Sequence, residues 1–129
     1  MTEKLELYKC KICGNLVQVL INGAGELVCC AQPMEKLVEK YEENNELAEK
    51  HVPEIEQQDG RVLVTLRKHP MIPEHYIQFI EVQSKDKTKI CLKYLNSNDS
   101  AEFDITGVED DVRALEYCNI HGLWRSKND

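Results

Sequence analysis

Residues 76–94, YIQFIEVQSKDKTKICLKY, decide the fold of most of this chain. Apolar runs of strand length on either side of the polar turn Ser84-Lys85-Asp86-Lys87 predict two strands, Tyr76 to Val82 and Lys89 to Tyr94. Similar runs cover Val62 to Leu66, Ala101 to Ile105 and Val112 to Cys118, and the stretch His51 to Glu56 and a short tail near Trp124 bring the total to about seven. Residues 51–129 are therefore expected to form a small immunoglobulin-like β-sandwich, in a chain that is mostly β.

Four cysteines lie in the N-terminal stretch, residues 1–37, with the spacing Cys10-x2-Cys13, fifteen residues, Cys29-Cys30. Two short strands, Leu16 to Ile21 and Glu26 to Cys29, are predicted there, joined by a turn at residues 22–25. So short a segment has too little apolar surface to fold without help, and four thiolates suit a tetrahedral metal. The spacing leaves zinc and iron equally open, and a purely structural zinc site is the simpler alternative. Adjacent ligands at Cys29 and Cys30 are expected to strain the backbone.

Residues 38–50 differ from both flanking regions, since they carry five Glu and two Lys with few apolar residues. This composition predicts a solvated linker, with a helical turn near Glu46 to Lys50. The chain is thus expected to have a metal-stapled domain at 1–37, a linker at 38–50 and a β-sandwich domain at 51–129.

Composition narrows the classes of function. The net charge of −7 over 129 residues disfavours nucleic acid and anionic membranes as partners. The charged N-terminus, MTEKLELYKC, has no apolar run of the kind found in signal peptides or membrane spans. Six cysteines in such a chain predict metal ligands or reduced thiols in the cytoplasm rather than disulfides.

The four histidines of the chain occupy unusual settings. His69 and His75 flank a loop that contains two prolines, which restrict where both rings point. His121 follows Cys118 in a Cys-x2-His turn, which brings a thiolate and an imidazole together and aims backbone N–H groups at the sulfur. His51 begins the predicted second domain. A second metal site built from imidazoles and one thiolate is one interpretation, although a single histidine in a sandwich is more often a surface or hydrogen-bonded residue.

Several motifs resemble those of the superoxide reductases. They are Glu49-Lys50-His51-Val52-Pro53, His69-Pro70-Met71, Glu74-His75-Tyr76-Ile77-Gln78 and Tyr117-Cys118-Asn119-Ile120-His121-Gly122. The segment with Cys10, Cys13, Cys29 and Cys30 resembles desulforedoxin. Together they cover essentially the whole chain and resemble the desulfoferrodoxin family of two-iron superoxide reductases.

The resemblance implies a catalytic iron with an open sixth position for superoxide. Its ligands would be four equatorial histidines and one axial thiolate, namely His51, His69, His75, His121 and Cys118. A second iron would occupy the site formed by Cys10, Cys13, Cys29 and Cys30. The implied reaction is the one-electron reduction of superoxide to hydrogen peroxide in defence against oxidative stress, with re-reduction by a rubredoxin-type donor.

The resemblance also implies roles for two neighbours of His51. The residue matching Glu49 binds the ferric iron, and the one matching Lys50 steers and stabilises the anion. Without the family, a solvated Glu–Lys pair in a charged linker is the better interpretation of both. Cys91, in the predicted strand Lys89 to Tyr94, is assigned no role.

Other functions fit the same residues. The chain could be an electron carrier in which only the four-cysteine iron cycles, an interaction module stapled by two zinc ions, or a dismutase. A homodimer is expected, because a small metal-stapled domain gains buried surface by pairing.

Overall fold

The computed structural model describes residues 1–41, 46–107 and 111–127 of the chain. Contacts between Cα atoms divide it into two compact units, Met1–Val38 and Glu39–Asp129. Each unit has its own strands and its own cluster of potential metal ligands. No helix of the described residues is long and apolar enough to span a membrane.

The first unit contains five very short strands. They are β1 (Leu7–Lys9), β2 (Leu16–Gln18), β3 (Val28–Cys29), β4 (Gln32–Pro33) and β5 (Glu35–Lys36). Strand β1 lies between β2 and β5 in one antiparallel sheet, while β3 and β4 form a separate hairpin. The two strands predicted here exist but are shorter than expected, and each pairs with a strand that the sequence did not indicate. Few apolar side chains of this unit are buried, among them Leu5, Leu7 and Val19.

The second unit is a sandwich of two antiparallel sheets. Its strands are β6 (Glu54–Gln58), β7 (Arg61–Thr65), β8 (Ile77–Ser84), β9 (Ile90–Tyr94), β10 (Glu102–Thr106), β11 (Val112–Cys118) and β12 (Gly122–Arg125). One sheet has the order β10-β7-β6 and the other the order β12-β11-β8-β9. The prediction of a mostly β chain with an N-terminal metal-stapled unit and a sandwich is confirmed.

Alternating side chains explain the core of the sandwich. Val62 and Val64 of β7 face Ile80 and Val82 of β8, together with Ala114 of β11, and all five are buried. The predicted turn after β8 closes through side chains: the Ser84 hydroxyl donates to Asp86 at 2.8 Å, and the Asp86 carboxylate accepts from the Thr88 N–H at 3.0 Å. The Thr88 hydroxyl also donates to this carboxylate, at 2.7 Å, and is the largest contributor among the three hydrogen bonds that lower the pKa of Asp86 to about 2.

The segment predicted as a linker contributes ordered structure to the second unit. Lys40 pairs with Trp124 of β12 through a parallel bridge, and helix α1 follows at Glu46–His51. The predicted helical turn near Glu46 is thus confirmed. The prediction that His51 begins a strand is wrong, because His51 ends α1 and β6 starts at Glu54. Helical geometry here lets the His51 ring reach back to the Leu47 carbonyl, four residues earlier.

Candidate metal centres

The four N-terminal cysteines converge on one point. Their sulfur atoms all lie within 4.8 Å of one another. Cys10 follows β1, and the Gly14 N–H donates to the Cys10 carbonyl at 3.0 Å, which closes the turn carrying Cys13. Cys29 ends β3, and Cys30 begins the turn to β4. The backbone φ of Cys30 is 52°, a value that residues other than glycine rarely adopt. The backbone strain predicted for adjacent ligands is therefore present at Cys30.

The electrostatics of this cluster favour a bound cation. The Cys13 N–H lies 3.5 Å from the Cys10 sulfur, and backbone N–H groups lower the pKa of Cys10 to about 6. Hydrogen bonding with the neighbouring thiols, first with Cys13, raises the pKa of Cys30 to about 12. The crowded sulfurs resist becoming four thiolates together, and a divalent or trivalent metal removes that obstacle. The four residues thus fit a tetrahedral metal.

A second cluster forms in the other unit from residues far apart in sequence. His51 lies at the end of α1, His69 in the loop after β7, His75 just before β8 and Cys118 at the end of β11. One ligand atom of each lies within 4.8 Å of those of the others. Three of the four, all except His75, are buried. Three imidazoles and one thiol thus converge on one point, and together they form a donor set suited to iron.

His121 completes the ring of imidazoles. Its Nδ1 lies 3.2 Å from the Nε2 of His75 and 4.0 Å from the sulfur of Cys118. Its ring centroid is 4.8 Å from that of His51 and 4.9 Å from that of His75. The structure therefore brings together all five side chains that the sequence singled out for the second site.

Hydrogen bonding orients the His51 ring toward the cluster. His51 Nδ1 donates to the Leu47 carbonyl at 2.7 Å, which leaves Nε2 to face His75 Nε2 at 3.4 Å. His69 Nε2 is buried and has no hydrogen-bond partner among the described residues. Burial lowers the pKa of His51 to about 4 and that of His69 to about 3, with the neighbouring rings adding to the effect. Neutral imidazoles gathered around one point fit a metal.

Burial and the backbone of its own turn act in opposite directions on the Cys118 thiol. Burial raises the pKa of Cys118, while the backbone N–H groups of His121 and Ile120 donate to the sulfur and oppose that increase. This is the arrangement that the Cys-x2-His spacing predicts. A metal cation would overcome the remaining cost of holding a buried thiolate.

Asn119 ties this turn to the loop that carries His75. Its side-chain oxygen accepts from the Tyr76 N–H at 2.9 Å, and its side-chain nitrogen donates to the Glu74 carbonyl at 3.2 Å. Ile72 and His75 exchange backbone hydrogen bonds at 3.0 and 2.9 Å, which close the proline-containing loop. These bonds fix the position of the loop that carries His75 relative to the turn that carries Cys118 and His121.

The two predicted neighbours of His51 lie on α1. Lys50 is exposed, and its charge adds to the effect of burial in lowering the pKa of His69 and of His75. The side chain of Glu49 lies outside the described part of the structure.

Three residues of this site escaped the sequence analysis. The Trp124 ring stacks on His51 with centroids 5.2 Å apart and an interplanar angle of 25°. Lys40 Nζ donates to the His121 carbonyl at 2.8 Å. Glu116 is buried two residues before Cys118, neither of its carboxylate oxygens has a hydrogen-bond partner among the described residues, and burial raises its pKa well above the usual range. Glu116 could have been noticed in the sequence, because it is a charged residue within the apolar run of β11. The residues around Lys40 give no comparable indication of its contact with His121.

Cys91 belongs to neither cluster. It is half-buried on β9, which lies at an edge of the four-stranded sheet. Its place on a strand matches the prediction.

Comparison with known proteins gives two family matches. A model described as the N-terminal domain of desulfoferrodoxin matches residues 2–37, and a model described as desulfoferrodoxin matches residues 43–127. A desulfoferrodoxin homolog of Archaeoglobus fulgidus is 46% identical over 128 residues, which cover 98% of this chain and 99% of that protein.

Two further similarities correspond to different lengths of the chain. Desulforedoxin of Megalodesulfovibrio gigas is 47% identical over 36 residues, or 28% of this chain and 97% of that protein. The crystal structure of the superoxide reductase from Treponema pallidum superimposes with a TM-score of 0.71 and 25% identity, covering 98% of this chain and 100% of that one.

Proposed function

This chain belongs to the desulfoferrodoxin family, and from that premise we propose that it reduces superoxide to hydrogen peroxide in its second unit. It is an oxidoreductase of the superoxide reductase type with two iron centres. The first centre belongs to the four-cysteine cluster and the second to the cluster of imidazoles and Cys118. We further propose that residues 1–37 and 51–129 act as separate domains, and that residues 38–50, of which 39–41 and α1 are ordered with the second unit, connect them.

The second cluster is the observation that carries this proposal. Its donors converge from four segments of the sandwich unit, and the hydrogen bond of His51 to the Leu47 carbonyl turns that ring toward the others. We propose that His51, His69, His75 and His121 hold the iron equatorially and that Cys118 is its axial ligand. Iron held by neutral imidazoles and one thiolate supplies one electron at a time, which matches the reaction of one superoxide, one electron and two protons to give hydrogen peroxide.

Two residues of α1 are proposed to assist. Lys50 attracts the anionic substrate, since its charge reaches the rings of His69 and His75. Glu49 is proposed as a carboxylate ligand of the oxidised resting site, as in the family that the motif Glu49-Lys50-His51 resembles. A rubredoxin-type protein is the proposed electron donor. We also propose a cytoplasmic role in defence against superoxide, in keeping with six cysteines of which none forms a disulfide.

Metal analysis combined with stopped-flow mixing tests the proposed function. We expect two irons per chain and rapid oxidation of the reduced second centre by superoxide, without release of oxygen. Release of oxygen during turnover without an added donor would indicate a dismutase. A colourless protein with two zinc ions, or an iron centre in the second unit that superoxide does not oxidise, would overturn the proposal.

Replacement of Glu49 by alanine tests the carboxylate. Glu49→Ala should leave the rate of superoxide capture within about twofold of the parent, because the carboxylate is proposed to bind after oxidation. The absorption band of the oxidised protein should shift and become sensitive to added anions. An oxidised spectrum identical to that of the parent across the pH range would exclude Glu49 from the site.

Sedimentation tests the proposed homodimer. A first unit with few buried apolar side chains gains most from pairing with a second copy. We expect the mass of a dimer at micromolar protein concentration. A monomeric mass under these conditions would contradict the expectation.

A further inference from the structure

Three consecutive residues before α1 attach to the hairpin that carries Cys118 and His121. We call residues 39–41 the strap. The Lys40 N–H donates to the Leu123 carbonyl at 3.1 Å, and the Arg125 N–H donates to the Lys40 carbonyl at 2.9 Å. The strap is therefore joined to the edge of β12 by one parallel β-bridge, between Lys40 and Trp124.

Side chains on both sides of Lys40 fasten the strap. The Glu39 carboxylate pairs with the guanidinium of Arg113 on β11, with one contact at 3.2 Å. The guanidinium of Arg125 on β12 lies over the Tyr41 ring, 3.7 Å from its centroid. Because these two contacts fix the backbone of Lys40, less conformational entropy is lost when its ammonium group forms a hydrogen bond.

The Lys40 ammonium reaches the metal-binding turn. Its Nζ donates to the His121 carbonyl at 2.8 Å, and the Trp124 Nε1 donates to the same oxygen at 3.1 Å. Nζ also lies 5.5 Å from the centroid of the Trp124 ring, whose indole stacks on His51. One cation therefore contacts the backbone of one proposed ligand and the aromatic support of another.

We propose that Lys40 is a positioning residue of the second centre, which fixes the His121 turn and favours the reduced state of the bound iron through its charge. Reduction lowers the net charge of the site by one unit, so a nearby fixed cation stabilises the reduced form more than the oxidised form. The side chain is exposed, and solvent therefore limits the effect to a few-fold. The proposal rests on the iron site described under the proposed function.

The chain offers a matched control for this contact. Lys93 is also exposed and donates to a backbone carbonyl, that of Glu102, at 3.3 Å. It lies on β9, outside the cluster of His51, His69, His75 and Cys118. Lys93→Met therefore removes the same charge and the same kind of hydrogen bond without touching the His121 turn.

The experiment is a redox titration of the iron-loaded full-length chain at low ionic strength, followed through the absorption of the second centre. In Lys40→Met, the ratio of reduced to oxidised iron at a fixed potential should fall by about threefold. Lys40→Gln keeps a hydrogen-bond donor at this position but removes the charge. Its ratio of reduced to oxidised iron should fall by the same factor. Lys40→Arg and Lys93→Met should match the parent. The four-cysteine iron in the same sample serves as an internal reference and should not change.

The other outcomes overturn the proposal. A ratio in Lys40→Gln equal to that of the parent would show that Lys40 acts only through its hydrogen bond and not through its charge. An equal fall of the ratio in Lys93→Met would mean that any lysine has this effect. A fall in Lys40→Arg would exclude charge as the cause. If Lys40→Met does not fold, Lys40→Gln decides the result. Because superoxide is absent from this titration, its outcome is independent of whether the protein reduces superoxide.

Discussion

Lys50 presents a positive charge beside the proposed catalytic site of an acidic protein. The chain carries −7, and the proposed substrate is an anion, so the charge of the whole molecule slows their encounter. Lys50 acts on the rings of His69 and His75, next to which the substrate must arrive. A local field of this kind can offset the unfavourable net charge.

Replacement of Lys50 tests that field. A unit charge about 6 Å from the substrate, at an effective dielectric of about 40, contributes about 1.4 kcal/mol, which is about tenfold in rate. Lys50→Ala should lower the second-order rate constant with superoxide by this factor and weaken its dependence on salt. Stopped-flow measurements over a range of ionic strength check both effects, and the absorption spectrum should stay as in the parent.

Two further variants complete this test. Lys50→Arg should keep most of the rate if charge is the cause. Lys93→Ala makes the same change in net charge away from the site and should leave the rate within about twofold of the parent. A Lys50→Ala protein equal to the parent in rate and salt dependence would show that Lys50 is a solvated surface residue.

Single residues differ in how well the sequence predicts their contacts in the site. The Cys118 and His121 pair was predictable because a Cys-x2-His spacing is a local property of the chain. The contact of Lys40 with His121 was not, because it spans 81 positions and Lys40 lies in a run of ordinary charged residues. Trp124 gave no sign of stacking on His51, since that contact depends on where α1 ends.

The turn between β11 and β12 is the element on which the second site depends most. It runs from Cys118 to Gly122, and Gly122 adopts a φ of 81° that residues with a Cβ avoid. An added Cβ would also meet Lys40 Nζ at 3.6 Å, an ordinary contact distance. The main cost of a substitution here is therefore backbone strain.

Gly122→Ala should lower the free energy of unfolding of the second unit by about 1 kcal/mol. Loss of metal lets the turn relax, so release of iron to a chelator should be about fivefold faster, the factor that corresponds to 1 kcal/mol. Denaturant unfolding and the rate of iron release measure the two effects.

Gly60→Ala is the control for this prediction. Gly60 follows β6 with a φ of 78° and has no neighbour within 4 Å of an added Cβ. It should lose about the same stability while releasing iron at the rate of the parent. Equal acceleration of iron release in both variants would mean that global stability, and not the turn, controls retention of the metal.

Elements were predictable where their pattern is long enough to have a period. The strands of the sandwich are four to eight residues long and alternate or run apolar, so their number and approximate positions could be predicted. Strands of two or three residues in the first unit are too short to show a period, so their pairing could not be predicted. The end of α1 at His51 was missed because a six-residue helix leaves a weak sequence pattern.

At the scale of the whole molecule, each unit combines its own fold with its own ligand cluster. The first unit draws all four cysteines from residues 10–30, and the second draws its histidines and Cys118 from residues 51–121. The 36-residue similarity to desulforedoxin covers 97% of that protein and 28% of this chain, so it is confined to the first unit. We therefore expect the chemistry of the second centre to be independent of the first.

Cys13→Ser tests this independence, because it removes one of four ligands from the first cluster only. Iron content should fall from two per chain to one, and the first unit should unfold more readily, since metal binding there is part of its folding energy. Cys91→Ser removes a thiol that belongs to neither cluster and should retain both irons. The reduced second centre of Cys13→Ser should still be oxidised by superoxide within about twofold of the parent rate in stopped-flow mixing. A variant that keeps the second iron but no longer reacts with superoxide would demonstrate that the two centres act as one catalytic unit.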